Sequence, residues 1–399
     1  MNDARTEDPR YDVCIALNYY APYVSGLTEV ARVLAEGLAA RGRSVAVVTS
    51  RHDRSLPRRE RIAGVEVFRA PVLAQVGRGV VAPGFPRLVA QVARRSRVLN
   101  LHLPMLEAAW IAARCGNVPV VSTYHIDVWV PRTLTTPLQV AAVNRSARRA
   151  LARSTAVVVN SEDQARYSSQ WPVIRGRPWQ AISAPCVHRE DGRPVHRSSD
   201  GLHVGFLGRI VEDKGIPYLV RAFRRHAAPQ DRLLIGGDHQ DVRGRSAVAE
   251  VRAAIGDDQR ITLLGFLKGR QIADFYASID VFALPSVAES FGIVQAEAMM
   301  AGVPCVTSDL PGGRYPVVAT GFGRLAPPRD PDAIWRAVEE LRDLPAEQRA
   351  VHAKEARDRF GVAACLDAYQ ELFDRAASGV PLGHRPASPP GSRPNGEAA

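Results

Sequence analysis

The sequence predicts an α/β protein built from two successive doubly wound, Rossmann-like domains. Its 399 residues exceed what a single hydrophobic core usually spans. Short runs rich in valine, isoleucine and leucine alternate with amphipathic stretches, which is typical of parallel sheets covered by helices on both faces. The alternation stops at a polar stretch, residues 187–200, and then begins again. We therefore expect two domains that face each other across a cleft, with ligands bound beyond the carboxyl ends of the strands.

The first domain is predicted to cover residues 11–188, after ten polar residues that we expect to be disordered. A helical pattern over residues 27–41 ends at Gly42, a common helix stop. Further helical stretches separate the later strands. The predicted strands are residues 13–17, 45–49, 98–103, 118–123 and 155–160.

The second domain is predicted to cover residues 201–360, after a linker and hinge at residues 189–200. A C-terminal helix should follow at residues 361–377. Residues 378–399 are rich in proline, glycine and serine and are expected to be disordered. The predicted strands of this domain are residues 204–207, 233–235, 261–264, 281–284 and 303–307.

Composition limits the classes of protein to which the chain can belong. Hydrophobic residues make up 46% of the chain, enough for buried cores, and no apolar run approaches the roughly 18 residues of a membrane-spanning helix. The polar, acidic start lacks the basic and apolar regions of a signal peptide. The five scattered cysteines predict reduced thiols rather than disulfides or a metal site. We expect a cytoplasmic protein, with peripheral binding to the inner face of the plasma membrane as an open alternative.

The net charge of +11 lies entirely in the first half of the chain. Residues 1–200 carry 28 basic and 16 acidic residues, whereas the rest carry 24 and 25. A one-sided positive field attracts anions such as a lipid surface, a phosphorylated acceptor or nucleic acid. Only three of the 52 basic residues are lysine, so a general drift toward arginine is an equally simple interpretation.

Two glutamates eight residues apart form the strongest local signal. Glu289 follows the predicted strand 281–284, and Glu297 lies about two turns into the next helix. The first amides of that helix, at Gly292, Ile293 and Val294, would point with the positive end of the helix dipole toward a diphosphate. The plain structural alternative is a helix cap and a surface glutamate.

Two cations follow the predicted strand 204–207. Arg209 can fork onto two phosphate oxygens, and Lys214 can act as a point charge. Both precede a helical stretch, so they should lie at the carboxyl edge of the sheet. Lys214 is one of only three lysines in this arginine-rich chain, which makes a solvated loop a weaker interpretation.

The first domain offers a glycine and two histidines at the same predicted edge. Gly26 precedes the first helix and would let backbone approach a phosphate closely. His102 and His125 end two neighbouring strands and are predicted to bind the acceptor. A single histidine at a strand end is more often structural, but two at one edge favour function.

Several motifs are absent from the sequence. There is no G-x-G-x-x-G, G-x-x-x-x-G-K-[ST], H-E-x-x-H or C-x-x-C. An Asp-x-Asp at Asp330 and Asp332 opens a helical stretch with Pro331 between them, so Asp330 is predicted to be an N-cap. We predict neither a metal site nor a cofactor.

Together these segments resemble the retaining GT-B glycosyltransferases of family 4, also called group 1. The resemblance covers about residues 11–376. It rests on the opening strand, loop and helix at residues 19–50, on STYHIDVW at 122–129, and on two blocks at 204–223 and 282–312. The block 282–312 contains the spacing E-x7-E and is the most specific of these segments.

The resemblance implies a role for each candidate residue. Arg209 and Lys214 would hold the diphosphate and act in catalysis, and Glu297 would bind the ribose hydroxyls. Glu289 would approach the transferred sugar in a catalytic role, either as a nucleophile or as a hydrogen-bonding and electrostatic anchor. Gly26 would place its amide against a phosphate, and His125 would contact the sugar or acceptor in a catalytic role.

The sequence also departs from the family pattern. The glycine pair Gly312 and Gly313 is followed by no acidic residue, the first loop has Ser25 in place of a glycine, and the interdomain segment at 184–187 lacks its usual glycine. These departures affect contacts to the base or sugar but leave the phosphate cations and the carboxylates in place.

We therefore predict a metal-independent hexosyltransferase. It would move a sugar from a nucleotide-sugar, a UDP-sugar as first choice, with retention of anomeric configuration. The acceptor would be a phosphate-bearing lipid or a natural-product intermediate, bound by the basic first domain. Alternatives are a nucleotide-sugar epimerase on the same fold, a nucleic-acid-binding protein, for which no recognition motif is present, and a catalytically silent scaffold.

Overall fold

The computed structural model describes residues 10–76, 79–128, 136–237 and 246–384, which form two compact units. The first unit combines the N-terminal part of the chain up to Pro185 with the segment from Val362 onward. The second unit covers Cys186–Gly361. Residues 1–9 and 385–399, parts of the segments predicted to be disordered, lie outside the described residues.

The first unit contains an eight-stranded sheet with the order β10-β9-β8-β7-β1-β2-β4-β3. All neighbouring pairs are parallel except β3 with β4. A separate antiparallel hairpin is formed by β5 and β6. The strands are β1 Tyr11–Ala16, β2 Val45–Arg51, β3 Arg59–Ile62, β4 Val65–Pro71, β5 Ala74–Val76, β6 Gly79–Val81, β7 Ser96–Leu103, β8 Val120–Tyr124, β9 Ala156–Val159 and β10 Trp179–Ala181.

Helices cover both faces of this sheet. One apolar cluster packs five helices against one face. The helices of that layer are α2 Phe85–Ala93, α3 Ala108–Arg114, α4 Thr136–Arg153, α5 Glu162–Arg166 and α6 Trp171–Ile174. A second cluster packs α1 (Gly26–Ala40) and the C-terminal helix α14 (Val362–Ala377) against the other face. The last helix of the chain is thus part of the first unit.

The second unit contains a six-stranded, fully parallel sheet with the order β13-β12-β11-β14-β15-β16. Its strands are β11 His203–Leu207, β12 Arg232–Gly236, β13 Ile261–Gly265, β14 Val281–Leu284, β15 Cys305–Ser308 and β16 Gly323–Ala326. Its helices are α7 Ile216–His226, α8 Val248–Ile255, α9 Arg270–Ala277, α10 Ile293–Met300, α11 Tyr315–Thr320, α12 Pro331–Glu339 and α13 Ala346–Phe360. The predicted α/β class with two doubly wound domains is confirmed.

The predicted linker at residues 189–200 is wrong. Cys186 pairs with Gly361 and its backbone N–H donates to Phe360, so the second unit already begins there. Residues beyond it are tied to the same unit: the N–H of Arg193 donates to Asp274, and that of His196 donates to Ser278. A polar stretch without periodicity suggested a linker, but its backbone hydrogen bonds make it part of the second unit. The chain crosses between units at 185/186 and again at 361/362.

The strand order places the candidate residues at two topological switch points. In the second unit the order reverses between β11 and β14, so the loops after these strands leave the sheet in opposite directions. In the first unit the reversal lies between β1 and β7. Such points are where open α/β sheets bind ligands, at the carboxyl ends of the strands.

Candidate active site

The loop after β11 is held against the loop after β14 by a close backbone approach. A 3₁₀ turn, Glu212–Lys214, ends at Gly215, which has φ 62°. A β-carbon at Gly215 would overlap the carbonyl oxygen of Pro285, so only glycine fits there. The N–H of Val287 donates to the carbonyl of Asp213 over 2.9 Å. These contacts bring Lys214 and Glu289 together although they are 75 residues apart.

Lys214 and Glu289 form a largely buried ion pair. The Lys214 Nζ donates to Glu289 Oε2 over 2.6 Å, and the two side chains are 16% and 12% exposed. Burial by itself raises the pKa of Glu289. The opposing effect of Lys214, with the backbone N–H groups of Ser290 and Phe291, is larger and brings the pKa below its ordinary value. Glu289 is therefore a carboxylate at neutral pH, suited to accept hydrogen bonds or stabilise positive charge rather than to donate a proton.

Arg209 differs from Lys214 in its surroundings. Its side chain is half-buried after Gly208, at the carboxyl end of β11. Within the described part of the chain, no carboxylate pairs with its guanidinium and no hydrogen bond engages it. A half-buried guanidinium without an anion is poised to take one from a ligand.

The start of α10 supplies backbone donors beside this pair. Gly292 is the N-cap with φ 79°, and a β-carbon there would overlap the Gln295 amide and press on Leu284. Ile293 and Val294 open the helix, where backbone N–H groups have no intrahelical acceptor. The positive end of the α10 dipole therefore lies in the same loop region as Glu289.

Glu297 lies in the second turn of α10 and is 7% exposed, so it is not a surface residue. Its carboxylate is 3.4–3.5 Å from the Arg189 guanidinium and 3.4 Å from the Tyr276 hydroxyl. Burial raises the pKa of Glu297, and Arg189, the Val187 backbone and Tyr276 oppose that rise only in part. These long contacts leave the carboxylate free to exchange partners with a ligand hydroxyl.

Sequence reasoning missed Arg189, Tyr276 and Gln295. Arg189 lay in the predicted linker, and Tyr276 lies on α9, 21 residues before Glu297. Gln295 Nε2 donates to the carbonyls of Phe291 and Gly313 over 2.7 and 2.6 Å, which joins the loops after β14 and β15. No local pattern marks these partners, because each is defined by a tertiary contact.

In the first unit, His102 and His125 are in direct contact at the ends of β7 and β8. His102 Nδ1 and His125 Nε2 are 2.9 Å apart, and the rings stack with centroids 5.0 Å apart. His102 Nε2 lies 2.8 Å from Asn100 Oδ1. Burial and the neighbouring His125 lower the pKa of His102 well below its usual value. Burial lowers the pKa of His125 to about 4. Both rings are therefore neutral at physiological pH.

The hydrogen bonds of Asn100 select one tautomer for each ring. Asn100 Nδ2 donates to the Val121 carbonyl and to Thr123 Oγ1, so its Oδ1 must accept from His102 Nε2. His102 Nδ1 is then an acceptor, and His125 Nε2 donates to it. His125 consequently presents Nδ1 as its acceptor. Both nitrogens of His102 are used inside the unit, so the arrangement favours His102 as a support for His125 over the predicted direct contact with an acceptor.

Gly26 is the first residue of α1 and lies in open space. Ser25 caps the helix: its side chain accepts from the Thr28 N–H, and the Ser25 N–H donates to Thr28 Oγ1 over 2.7 Å. An added β-carbon at Gly26 would meet no atom within 4 Å. None of the described residues therefore requires glycine here, and the position can accept a close ligand.

Other predicted features can be located as well. Asp330 caps α12 by accepting from the Ala333 N–H, as predicted. In the ranges that the structure describes, no group of three or more His, Cys, Asp or Glu side chains is arranged to hold a metal ion. Among the same residues, no helix has the length and apolarity to cross a membrane.

Comparison with known families identifies the class of enzyme. Residues 201–343 match the glycosyl transferases group 1, and residues 25–185 match the glycosyl transferase 4-like domain. The chain belongs to the group 1 glycosyltransferases. The two matches follow the two units, and the family and glycosyltransferase activity predicted from the sequence are confirmed.

Two curated relatives are similar over much of this glycosyltransferase. The D-inositol 3-phosphate glycosyltransferase of Xylanimonas cellulosilytica is 31% identical over 67% of this chain and 70% of its own length. The GDP-mannose-dependent alpha-mannosyltransferase of Mycobacterium tuberculosis is 29% identical over 82% of this chain and 88% of its own length.

Two solved structures share the GT-B fold. The sucrose-phosphate synthase of Thermosynechococcus elongatus matches with a TM-score of 0.76 at 20% identity, covering 93% of this chain and 100% of that one. Anabaena HepE, solved in complex with UDP-glucose, matches with a TM-score of 0.68 at 19% identity, covering 91% and 99%. At these identities the likeness shows the fold alone, and the site residues stay predictions.

Proposed function

We propose that this glycosyltransferase moves a sugar from a nucleotide-sugar, with UDP-sugars as first choice, to an acceptor held by the first unit. The observation that carries the proposal is the buried Lys214–Glu289 pair at the same sheet edge as Arg209, whose guanidinium is paired with no described carboxylate. A diphosphate binds readily to a cation that is not already in an ion pair, and no described carboxylate pairs with Arg209. The second unit is the proposed donor-binding unit.

The leaving group would be stabilised electrostatically. As the glycosidic bond to phosphate breaks, negative charge grows on the nucleoside diphosphate. Arg209, Lys214 and the amides of Gly292, Ile293 and Val294 are the groups that we assign to that charge. Preorganised donors of this kind are each worth roughly 10²–10³ in rate.

Glu289 is assigned to the sugar rather than to proton transfer. Its pKa is below the ordinary value and its carboxylate is bound to Lys214, so it suits an anchor for sugar hydroxyls and for the positive charge of an oxocarbenium-like sugar. A leaving phosphate oxygen would then take the acceptor proton on the same face, which retains the anomeric configuration.

Glu297 is assigned to the ribose hydroxyls, and the first unit is assigned to the acceptor. His125 would accept a hydrogen bond at Nδ1 from a sugar or acceptor hydroxyl, with His102 holding its ring. Gly26 would place its backbone N–H against a phosphate. An acceptor that carries phosphate, such as a polyprenyl phosphate or a phosphoglycolipid, fits the basic character of residues 1–200.

The donor can be tested with a panel of UDP-, GDP- and ADP-sugars, without divalent cation and with EDTA. The expected result is binding of one base class and slow, donor-specific release of its nucleoside diphosphate. NMR of the transferred sugar then reports the anomeric configuration. Inversion would refute retention, and a strict need for Mg²⁺ would refute the metal-independent leaving-group assignment.

The epimerase alternative is separated from transfer in the same assay without acceptor. An epimerase converts the donor sugar to its epimer and then releases it. Hydrolysis without epimerisation supports the proposal, whereas an equilibrium between two sugars would contradict it.

A further inference from the structure

The helix layer α2–α4 of the first unit has an unusually uncompensated charge. Residues 81–160 contain ten arginines and only two acidic residues, Glu107 and Asp127. Both carboxylates are already engaged. Asn18 donates to Glu107 over 3.3 Å, and Tyr124 and Ser168 donate to Asp127 over 2.6 and 2.5 Å. Among the described residues, neither carboxylate forms an ion pair with these arginines; Arg97 pairs with Asp12, which lies outside this range.

The geometry of α4 collects four of these arginines on one side. Its inner side is buried in the core of the first unit through Ala147, Ala150 and Leu151. At 100° per residue, its four arginines fall on the opposite, exposed side. These residues are Arg145, Arg148, Arg149 and Arg153. Among the described residues, no carboxylate lies within ion-pair distance of any of them.

Helix α3 extends this side of the unit and adds apolar groups. Ser146 of α4 donates to the Leu106 carbonyl at the start of α3 over 2.6 Å, so the two helices are joined. The Arg114 guanidinium lies 4.3 Å from the Trp110 ring centroid, and Arg94 donates to the Arg114 carbonyl. Leu106, Trp110 and Leu138 are 57%, 43% and 77% exposed. We call the outer side of these helices the arginine surface; it comprises Arg94, Arg114, Arg145, Arg148, Arg149 and Arg153.

We propose that the arginine surface binds the anionic headgroups of a lipid bilayer. Arginine forks onto phosphate oxygens, and its stem remains in apolar surroundings. Leucine and tryptophan side chains exposed on α3 and α4 suit the boundary between headgroups and acyl chains. A nucleic acid would use the arginines and could stack a base on Trp110, but it would gain little from the exposed aliphatic side chains of Leu106 and Leu138. The inference extends the proposed lipid-phosphate acceptor by naming the surface that brings the enzyme to it.

Vesicle co-sedimentation of the full chain tests the surface directly. Vesicles of phosphatidylcholine alone are compared with vesicles containing phosphatidylglycerol, at low and high salt. The expected result is binding only to the anionic vesicles, weakened at high salt because exposed charges are screened. Equal binding to both vesicle types, or none to either, would overturn the proposal.

Two triple variants with equal change in charge locate the surface. Each arginine near an anionic surface contributes roughly a factor of five in affinity, so Arg145→Gln, Arg148→Gln and Arg149→Gln together should weaken binding by about 100-fold. The control is Arg193→Gln, Arg252→Gln and Arg336→Gln, three exposed arginines of the second unit. Equal loss in both triples would overturn the assignment to this surface.

The apolar contribution separates lipid from nucleic acid. Leu138→Gln should weaken vesicle binding several-fold and leave any affinity for a single-stranded RNA oligonucleotide unchanged. RNA that binds more tightly than vesicles and displaces them would overturn the lipid assignment. UDP binding is measured on the same samples to keep the two proposals distinct. A wild-type chain that binds UDP but not vesicles would contradict only the lipid-surface proposal, whereas one that binds vesicles but no nucleoside diphosphate would contradict the proposed function.

Discussion

At the scale of single residues, Arg209 and Lys214 differ in their ion-pair partners. Lys214 is paired with Glu289, whereas no described residue pairs with Arg209. Both are assigned to the leaving phosphate, but only Lys214 also stabilises the fold through an ion pair among the described residues. The two side chains should therefore respond differently to removal.

Arg209→Ala is expected to lower turnover by roughly 10²–10³ and to leave the melting temperature unchanged. Lys214→Ala should lower turnover similarly and also cost about 3–5 kcal/mol of stability at neutral pH, because a buried carboxylate loses its partner. The measurements are steady-state kinetics and thermal denaturation. Near-wild-type turnover in either variant would contradict the phosphate assignment, and Lys214→Ala combined with Glu289→Gln should recover much of the lost stability.

The contribution of Glu289 to stability should depend on pH with opposite signs in the wild type and in Lys214→Ala. In the wild type the pKa of Glu289 is lowered, so its contribution to stability is present above the ordinary glutamate pKa and is lost as the pH falls through the lowered value. In Lys214→Ala, burial raises the pKa of Glu289, so the folded state binds more protons there and this variant should gain stability relative to the wild type on acidification. Denaturant titrations between pH 4 and 7 would contradict this if both proteins showed the same slope.

The buried pair His102 and His125 should also make the stability of the protein depend on pH. The pKa of His125 is lowered to about 4 and that of His102 lies well below its ordinary value, so the unfolded chain binds more protons between about pH 6.5 and 4. Stability should fall over that window as the pH falls. His102→Gln with His125→Gln should reduce the slope. An unchanged slope in the double variant would contradict the buried, neutral pair.

At the scale of secondary-structure elements, two glycines before helices serve different purposes. Gly215 precedes α7 with φ 62° and touches the Pro285 carbonyl. Gly26 begins α1 with open space around it. One is required by the fold, and the other is available to a ligand.

Gly26→Ala should leave stability unchanged or slightly higher, since alanine is the better helix former, but should raise the donor KM because a methyl group would separate backbone from phosphate. Gly215→Ala should lower both stability, by at least about 1–2 kcal/mol, and activity, because it strains the backbone. Thermal melts and donor kinetics distinguish the two. A Gly26→Ala enzyme with wild-type KM would remove the first loop from the phosphate site.

The position of each element in the fold decides whether it could be predicted from the sequence. Buried strands such as β11 and β14 were predictable from local patterns. The candidate residues Arg209, Lys214, Glu289 and Glu297 were chosen from the segments that follow these strands, and their roles stay predictions. Strands β3, β5, β6, β10 and β16 were not predicted, because brief, partly polar segments carry little periodicity. The seven-residue strand β4, which lies between β2 and β3, was not predicted either. Arg189, Tyr276 and Asn100 could not be found, because their roles come from contacts between distant elements.

At the scale of the whole molecule, the chain returns to its first unit at the end. Helix α14 packs Leu366, Tyr369 and Phe373 into the core with α1, and the Tyr369 hydroxyl lies 3.1 Å from Thr123 Oγ1. The sequence predicted helix α14 but not that it packs against the first unit, because an amphipathic pattern does not indicate which hydrophobic core the helix covers.

Truncation after Gly361 should therefore prevent the first unit from folding, although it removes nothing from the described second unit. The expected result is insoluble protein or loss of one cooperative melting transition, since a whole apolar helix face is removed from the core. Truncation after Ala377 is the control and should behave as the full chain. A soluble, fully cooperative protein ending at Gly361 would contradict the assignment of α14 to the first unit.

The central claim is that the carboxyl edge of the second unit binds a nucleoside diphosphate through Arg209, Lys214 and Glu297. Calorimetric titration of UDP and GDP in the presence of EDTA, with the matching monophosphates as controls, tests it most directly. We expect one diphosphate to bind at least ten-fold more tightly than its monophosphate, and we expect Arg209→Ala to abolish that preference while Glu297→Ala weakens both nucleotides. Equal affinity for diphosphate and monophosphate in the wild type, or unchanged binding in both variants, would contradict the claim.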